Sequence, residues 1–265
     1  MDLTSASALL PVTVIGYIVA VVTVTIRTIY RAAAARRLSS AMFVLTWVLH
    51  SATVVQLGLA NGRLPLATGA EYLLVLGWVV LTLHLYVWFK LSMEVAGVVL
   101  PPLAGAMTFG AMQLIGVATP AAVTRDAWFL FHTTVSTLGI AILSVAFAMS
   151  VLYLLQDRAL KSKKTLAMLE RLPSLQKADQ IGFRSLTIGF VLLTLGIATG
   201  VVVNAEVYQR LVVLGPKQVF PLLAWLIFAG VLIARPTIGF RGRKSAYLTI
   251  TGFAFGLMTV IGMTL

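Results

Sequence analysis

Residues 127–155 read AWFLFHTTVSTLGIAILSVAFAMSVLYLL, a run of 29 residues without Asp, Glu, Lys or Arg. A helix needs about 20 mostly apolar residues to cross about 30 Å of hydrocarbon, so this run predicts a transmembrane helix. Seven further runs are long enough to do the same, although the seventh of the eight barely qualifies. The predicted spans are 8–26, 41–60, 71–89, 94–116, 127–155, 183–203, 218–234 and 246–264. The predicted fold class is all-α, a polytopic integral membrane helical bundle.

The basic residues between these spans fall mainly on one side of the predicted bundle. If successive connections alternate sides, sixteen Lys and Arg residues lie on one side and four on the other. Basic residues concentrate on the cytoplasmic side of membrane proteins, so the larger set marks the cytoplasm. Both termini are therefore predicted to lie outside. The four outer residues are Arg63, Arg125, Arg210 and Lys217.

Composition supports the membrane and narrows the function classes. Apolar residues make up 60% of the chain and charged residues 11%, far from the soluble average. The net charge of +12 sits in loops beside the membrane, so we expect the lipid bilayer as partner and no nucleic acid. The absence of cysteine excludes a disulfide, a thiolate metal site and Cys-linked haem within this chain. The start of the chain lacks signal-peptide features, so residues 8–26 are expected to remain as the first span.

A single transmembrane domain, residues 1–265, is predicted because no connection is long enough to hold a second one. The longest connection, 156–182, is cytoplasmic and mixes basic residues with leucines at every third position. Two interpretations stay open for it. It forms a short helix on the membrane surface, or it is a solvated basic loop.

Small residues and prolines predict two features of helix packing. Two glycine pairs at a spacing of four allow helices to approach closely. Pro101 and Pro102, inside the fourth span, remove two backbone donors and predict a kink or break there. The glycine pairs are Gly196-x-x-x-Gly200 and Gly252-x-x-x-Gly256.

Familiar catalytic signatures do not occur in the sequence. It contains no G-x-x-x-x-G-K-[ST] nucleotide loop, no H-E-x-x-H motif, no paired carboxylates and no G-x-S-x-G. Of the eight acidic residues only Glu94 is arguably within a span, and it lies one turn from Lys90 at the cytoplasmic edge. Transporters driven by protons or cations usually carry carboxylates at membrane depth, so this pattern counts against transport without excluding it.

The three histidines, all inside predicted spans, are the candidate functional residues. His50 lies near the middle of the second span, with Thr46 and Thr53 on its helical face, and His132 lies inside the outer end of the fifth. An ionisable side chain at membrane depth is costly and indicates function by default, and neutral imidazole is a ligand of haem iron. The alternative is a neutral histidine that hydrogen-bonds a neighbouring helix, which we favour for His84.

Depth along the membrane normal does not decide which histidines share a ligand. At 1.5 Å per residue, His50 lies about 15 Å from the cytoplasmic edge and His132 about 7 Å from the outer edge. That leaves about 8 Å between them, and His84 is about as far from His50 on the cytoplasmic side. Since helix tilt could close either gap, a shared site and separate sites both stay open.

The second half of the chain resembles a known family. Six sequence fragments follow one another in an order and spacing similar to the CcsA/HemX-like membrane proteins of the cytochrome c assembly superfamily. The resemblance covers about residues 125–264, while the first half resembles the family in span layout and in an early histidine. The fragments are LYLLQ at Leu152, LPSL at Leu172, GFVLLTLGI at Gly189, Pro216-Lys217, Trp225-Leu226 and GFRGRK at Gly239.

In that family, a tryptophan-rich outer stretch holds haem beside flanking histidines. The corresponding stretch here, EVYQRLVVLGPKQVF, keeps only Pro216 and Lys217 of the signature. Tyr208 keeps aromatic character, while Val212 and Leu214 stand where tryptophans would be. Because indole rings stack a porphyrin face and offer N–H donors, the resemblance implies a member whose haem-presenting loop is eroded.

The resemblance implies a membrane component of cytochrome c biogenesis or haem handling, without chemistry of its own as an enzyme. Haem is the implied cofactor, other cytochrome c assembly proteins are the implied partners, and the prokaryotic plasma membrane is the implied location. His132 and His50 correspond to family histidines and would be the haem-iron ligands. Tyr208, Lys217 and Trp225 would be the other cofactor-binding residues.

Two other function classes stay open. One is a small transporter, for example of metal ions, with the same two histidines in its path. The other is a scaffold that binds no ligand and docks a cytoplasmic partner through the basic loop 156–182.

Overall fold

The computed structural model describes residues 3–30, 33–115, 127–161, 174–208 and 215–262. Within these ranges the chain forms eight α-helices, one short 3-10 helix and no strand, which confirms the all-α prediction. The helices are α1 (Leu3–Tyr30), α2 (Ala33–Asn61), α3 (Gly69–Phe89), α4 (Leu100–Leu114), α5 (Ala127–Lys161), α6 (Leu175–Tyr208), α7 (Pro216–Ile238) and α8 (Arg243–Gly262), with the 3-10 helix at Glu94–Val98.

Seven helical segments of the described residues are long and apolar enough to cross a membrane, and they match the first seven predicted spans. The seventh prediction, 218–234, lies within a segment of 22 residues. The eighth prediction, 246–264, overlaps α8, which is not among these seven segments. The segments are Leu9–Thr28, Ala35–Asn61, Gly69–Phe89, Glu94–Leu114, Ala127–Lys161, Leu175–Ala205 and Lys217–Ile238. The outward position of the termini stays a prediction.

Helices suit these apolar runs because a helix satisfies its own backbone polar groups, which lipid cannot do. The hydroxyl side chains inside the spans follow the same rule. Thr13, Thr46 and Thr53 each donate a hydrogen bond to the carbonyl four residues earlier in their helix. Threonine can therefore find an acceptor for its hydroxyl proton at membrane depth within its own helix.

The chain divides into two compact units, Met1–Thr119 and Pro120–Leu265, and each is described by itself. The single transmembrane domain stays a prediction. In the first unit, α1 packs on α2 and α4, and α3 packs on α4. Glycines allow these helices to approach closely: Gly16 of α1 faces Thr46 of α2, and Gly105 of α4 faces Tyr17 of α1.

The connection between α2 and α3 is organised by one buried carboxylate. Glu71, whose side chain is 7% exposed, accepts two hydrogen bonds from Arg63 at 2.7 Å and one from Asn61 at 3.2 Å. Thr68 caps the N-terminus of α3, and Glu71 completes the capping box with it. A carboxylate with this many donors fixes where α2 ends and α3 begins.

The fourth predicted span is interrupted, as its prolines predicted. It starts as the 3-10 helix, and α4 begins at Leu100, so that Pro101 and Pro102 occupy its first turn. There the missing N–H groups cost nothing, because first-turn donors have no partner within a helix. Glu94 of the 3-10 helix forms ion pairs with Arg27 of α1 and, at 2.7 Å, with Arg36 of α2.

In the second unit, α5 and α6 approach each other closely because glycines line their contact. A Cβ atom at Gly189 would lie 2.6 Å from Cγ of Leu143, and one at Gly196 would lie 2.8 Å from Oγ of Ser136. The glycines of this contact are Gly139, Gly182, Gly189, Gly196 and Gly200. The packing role predicted for Gly196 and Gly200 is confirmed.

The second predicted glycine pair is confirmed at one position. Gly252 of α8 lies against Phe228 of α7, whose Cε1 would be 2.5 Å from an added Cβ. A Cβ at Gly256 would meet nothing within 4 Å, so this position makes no close contact. The leucine-rich part of the connection 156–182, with the predicted surface helix, lies outside the described residues.

Candidate functional site

Two of the three histidines occupy successive layers of the first unit. The His50 layer contains one residue from each of α1, α2, α3 and α4. The His84 layer contains the residues seven positions away, three of them on α1, α2 and α3 and the fourth on the 3-10 helix that precedes α4. Seven residues of helix span about 10.5 Å along the axis. The His50 layer is Tyr17, His50, Gly77 and Ala104, and the His84 layer is Val24, Phe43, His84 and Gly97.

His50 is fully buried, and one of its ring nitrogens is anchored. The hydroxyl of Tyr17 lies 2.9 Å from Nδ1 of His50, and the two rings meet edge to face with centroids 5.8 Å apart. Nε2 of His50 is buried and makes no hydrogen bond. On the α3 side, Cε1 of His50 would lie 3.5 Å from a Cβ added at Gly77, so glycine leaves room for the ring.

The Tyr17 hydroxyl can give its proton to either of two acceptors, and this choice sets the tautomer of His50. The first acceptor is Nδ1 of His50 itself, at 2.9 Å. The Gly77 carbonyl is a second acceptor, 3.5 Å from the Tyr17 hydroxyl. When Tyr17 gives its proton to the Gly77 carbonyl, its oxygen accepts the proton on Nδ1 of His50. Nε2 then carries a free lone pair, the form in which imidazole binds a metal.

His84 has a different environment. Its side chain is fully buried, and neither ring nitrogen makes a hydrogen bond. Phe43 and Trp88 pack edge to face against it, with ring centroids at 4.6 and 5.7 Å. The ring is thus held as an aromatic packing group, with no polar partner to orient its nitrogens. The hydrogen bond to a neighbouring helix that we predicted for His84 is absent among the described residues.

His132 lies in the second unit, at the contact of α5 with α6. Its Nδ1 is 3.0 Å from the carbonyl of Gly196 and 3.1 Å from the hydroxyl of Thr199. Thr199 gives its own proton to carbonyls of α6, so the hydroxyl accepts, and Nδ1 of His132 is the donor. Nε2 again has the free lone pair and no partner among the described residues. Gly200 leaves space for the ring, 3.0 Å from where its Cβ would be.

The structure does not bring Trp225 to His132. Nε1 of Trp225 donates to the hydroxyl of Thr194 on α6 at 2.9 Å, and its ring stacks on Phe190. Thr194 and Gly196 are two residues apart, which places them on opposite faces of a helix. The two predicted site residues therefore contact different sides of α6.

The outer stretch is described only in part. Lys217 lies in the first turn of α7 and is exposed. Tyr208 ends α6, but its side chain lies outside the described residues, as do residues 209–214. The roles predicted for Tyr208 and Lys217 stay predictions.

A small pocket lies in the second unit, where the sequence indicated no site. Its polar lining includes Ser150, Tyr153 and the pair Asp179 and Arg235. Arg235 donates to both carboxylate oxygens of Asp179, and its guanidinium lies 3.9 Å from the centroid of Phe183. The ion pair between Asp179 and Arg235 joins α6 to α7. Because the two charges neutralise each other, the pair offers no unpaired charge to a ligand.

Sequence reasoning found the histidines but missed the groups that orient them. Tyr17 stands alone in an apolar run, and Thr199 looks like any other threonine of a span. Neither residue lies near its histidine in sequence, so no local pattern connects them.

The chain is similar to known proteins over almost its whole length. Residues 11–265 match the family described as Cytochrome C assembly protein. Cytochrome c biogenesis protein CcsA of Pyropia yezoensis is 27% identical over 269 residues, which cover 86% of this chain and 84% of that protein. CcsA of Guillardia theta is 27% identical, covering 77% and 74%, and CcsA of Microcystis aeruginosa is 28% identical, covering 78% of each. The chain therefore belongs to the cytochrome c assembly protein family, as its motifs predicted.

Proposed function

We propose that this protein handles haem through His50 and His132, each of which binds haem iron through Nε2. The protein is a multi-pass membrane component of cytochrome c biogenesis. Its family membership and the seven described helical segments long enough to cross a membrane show this. The finer assignment concerns the ligands.

One observation carries the ligand assignment: both histidines have Nδ1 engaged and Nε2 free. Tyr17 engages Nδ1 of His50, and the Gly196 carbonyl engages Nδ1 of His132. Histidines that bind metals almost always donate their other N–H to such a partner, which fixes the ring and raises its basicity. His84 lacks this arrangement, so we assign it no ligand role.

The residues present fit haem as ligand donors. A buried Nε2 without a partner is costly in an apolar interior, and coordination to iron would remove that cost at His50. Haem would supply the iron centre and a flat apolar ring. The chain would supply two oriented imidazoles and apolar helices, and it would hold and pass on the cofactor without making bonds of its own.

Location and partners follow from the same assignment. The cyanobacterial and algal origins of similar CcsA proteins support a membrane of bacterial type, and we propose the prokaryotic plasma membrane. Other cytochrome c assembly proteins are the proposed partners. Tyr208, Lys217 and Trp225 remain proposed contacts of haem in the outer part of the second unit.

The test is the visible absorption spectrum of the full chain, purified in detergent from haem-replete cells. Imidazole ligation gives reduced protein sharp visible bands. His50→Ala and His132→Ala should each lower haem content or shift these bands, because each removes one proposed ligand. His84→Phe is the matched control and should leave the spectrum unchanged, since it keeps an aromatic ring between Phe43 and Trp88.

Haem-free protein would contradict the proposal if added haem also kept the spectrum of the free cofactor. A solute transporter or a scaffold without ligand would then be favoured. A loss of haem in His84→Phe equal to that in His50→Ala would contradict the assignment of ligands.

A further inference from the structure

We propose that the contact between α2 and α3 is the portal through which haem reaches His50 from the bilayer, and that Trp47 and Trp78 form its gate. This inference rests on the proposed function, because it concerns the route to the same ligand. We call the contact the α2/α3 seam.

The other helix contacts of the first unit are close contacts at glycines. His50 is fully buried, so a planar cofactor needs two helices to separate before it can meet Nε2. Between α3 and α4, a Cβ at Gly77 would lie 3.0 Å from the Ala104 carbonyl. Gly16 and Gly105 make equally close contacts between α1 and α2 and between α1 and α4. Glycine contacts of this kind pack helices tightly in membranes, and separating them loses many contacts at once.

The α2/α3 seam is bridged by side chains instead. Nε1 of Trp47 donates to the hydroxyl of Thr82 at 2.9 Å, and Nε1 of Trp78 donates to the hydroxyl of Ser51 at 2.8 Å. The two indole rings stack between these bonds, with centroids 6.4 Å apart and planes at 23°. Each helix gives one indole and one hydroxyl, so the bridge is reciprocal.

Breaking this bridge leaves few polar groups without a partner. The hydroxyls of Ser51 and Thr82 donate to the carbonyls of Trp47 and Trp78 in their own helices, at 2.8 and 2.9 Å. Only the two indole N–H groups lose their acceptors when the seam opens. An average hydrogen bond between helices in a membrane protein shifts an equilibrium by only about threefold.

The two ends of the seam are more firmly tied than its middle. At one end Glu71 of α3 accepts from Asn61 of α2 and pairs with Arg63, and at the other end Glu94 of the 3-10 helix that follows α3 pairs with Arg36 of α2. The Arg63–Glu71 pair is largely buried, and separating such a pair costs more than separating a neutral hydrogen bond. The middle of the seam is therefore the place where opening costs least.

An opening at this place would uncover His50 and preserve its anchor. Gly77 of α3 faces Cε1 of His50 across the seam. Thr13 of α1 and Thr53 of α2 lie 3.0 Å apart at their hydroxyls, so α1 and α2 are joined beside the Tyr17–His50 bond. The Tyr17–His50 bond lies between these same two helices, so it survives when α2 leaves α3.

The seam also leads to an apolar surface. Val44, Val48 and Val55 of α2 are exposed and lie on the helix next to Trp47 and Ser51. Exposed valines on a membrane helix suit contact with lipid tails, where a porphyrin also dissolves. Haem would thus arrive from the bilayer, with its apolar edge first.

The first test compares rates of haem loading. Trp47→Phe/Trp78→Phe keeps both aromatic rings and removes both indole donors. Haem-free full-length protein in detergent, mixed with haem, should develop its Soret band about tenfold faster in this variant, at about threefold for each bond. The final occupancy should match that of the wild type. Trp128→Phe is the control, because Trp128 is 47% exposed and lies in the other unit.

The second test locks the seam. The chain has no cysteine, so introduced pairs can be linked without side reactions. Ser51→Cys/Trp78→Cys, joined by a bifunctional thiol reagent, should load haem at least tenfold more slowly than the same protein before linking. Thr13→Cys/Thr53→Cys, linked between α1 and α2, should load at an unchanged rate.

The outcomes separate the portal from the proposed function. Loading that continues at the same rate with the seam linked overturns the portal while leaving the ligands in place. Wild-type protein that never develops the Soret band contradicts the proposed function and the portal with it. A readout without haem is the reaction of Ser51→Cys with a lipid-soluble maleimide. Ser51→Cys already removes the acceptor of Trp78, so the reaction should quicken when Trp47→Phe is added, because that change removes the remaining bond, from Trp47 to Thr82. An unchanged reaction rate there also overturns the portal.

Discussion

The hydroxyl of Tyr17 lies 2.9 Å from Nδ1 of His50 and joins α1 to α2 in the buried centre of the first unit. This bond distinguishes His50 from His84, which is as deeply buried and has no polar partner. An oriented imidazole with one free nitrogen is suited to bind a metal, whereas an unoriented imidazole among aromatic rings serves only as a packing group. The difference leads to several measurable consequences.

Tyr17→Phe should weaken haem binding by about 10–100-fold, the usual effect of removing the group that orients a metal-binding histidine. The phenyl ring keeps the contact with Gly105, so the fold should persist. The measurement is a haem titration followed by absorbance. Tyr86→Phe, at a residue that is 55% exposed on α3, is the control. Equal affinities for the two variants would show that the anchor has no role.

Nitrogen NMR of histidine-labelled, haem-free protein should find the Nδ1–H tautomer at His50. The proposed ligand role requires this tautomer, in which Tyr17 gives its own proton to the Gly77 carbonyl and accepts from Nδ1. The competing Nε2–H tautomer would turn to the Leu74 carbonyl, a backbone acceptor beside the ring. Finding that tautomer would refute the assigned network.

Gly200→Ala should disturb His132 specifically. The added Cβ would lie 3.0 Å from Cε1 of the imidazole, so the ring must shift away from the Gly196 carbonyl that holds it. We expect less bound haem or displaced visible bands, with an effect smaller than that of His132→Ala. Gly256→Ala is the matched control, because nothing lies within 4 Å of its new Cβ. Identical spectra for both variants would argue against His132 as a ligand.

Glu71→Ala should lower the free energy of unfolding by about 3 kcal/mol, since it leaves Arg63 and the start of α3 without their buried carboxylate. Chemical unfolding in detergent measures the change. Lys161→Ala serves for comparison: its pair with Asp157 is on the surface, with the lysine 60% exposed, and should contribute less than about 1 kcal/mol. Similar losses in both variants would contradict the structural role of Glu71.

Reporter fusions should read cytoplasmic after residues 37, 165 and 242, and external near residues 65, 122, 210 and the C-terminus. The sixteen-to-four division of basic residues is the reason. The described α7 is long enough to cross, so a cytoplasmic C-terminus would mean that α8 does not span the membrane.

The sequence by itself determined the membrane class, the positions of seven spans and the family. Those properties depend on the length of apolar runs and on motifs in one order along the chain, such as Gly189–Ile197 and Gly239–Lys244. It also placed His50 and His132 inside spans, because depth follows from counting residues along a helix.

Only the tertiary structure decided what those histidines contact. Tyr17 meets His50 across 33 residues and Gly196 meets His132 across 64, whereas Trp225 turns to the other face of α6. Membrane helices are apolar on nearly every side, so hydrophobic periodicity does not tell which face of one helix meets which face of another. Those pairings depend on where glycines permit close approach and where hydroxyls and indoles find partners, which are properties of two helices together and of neither alone.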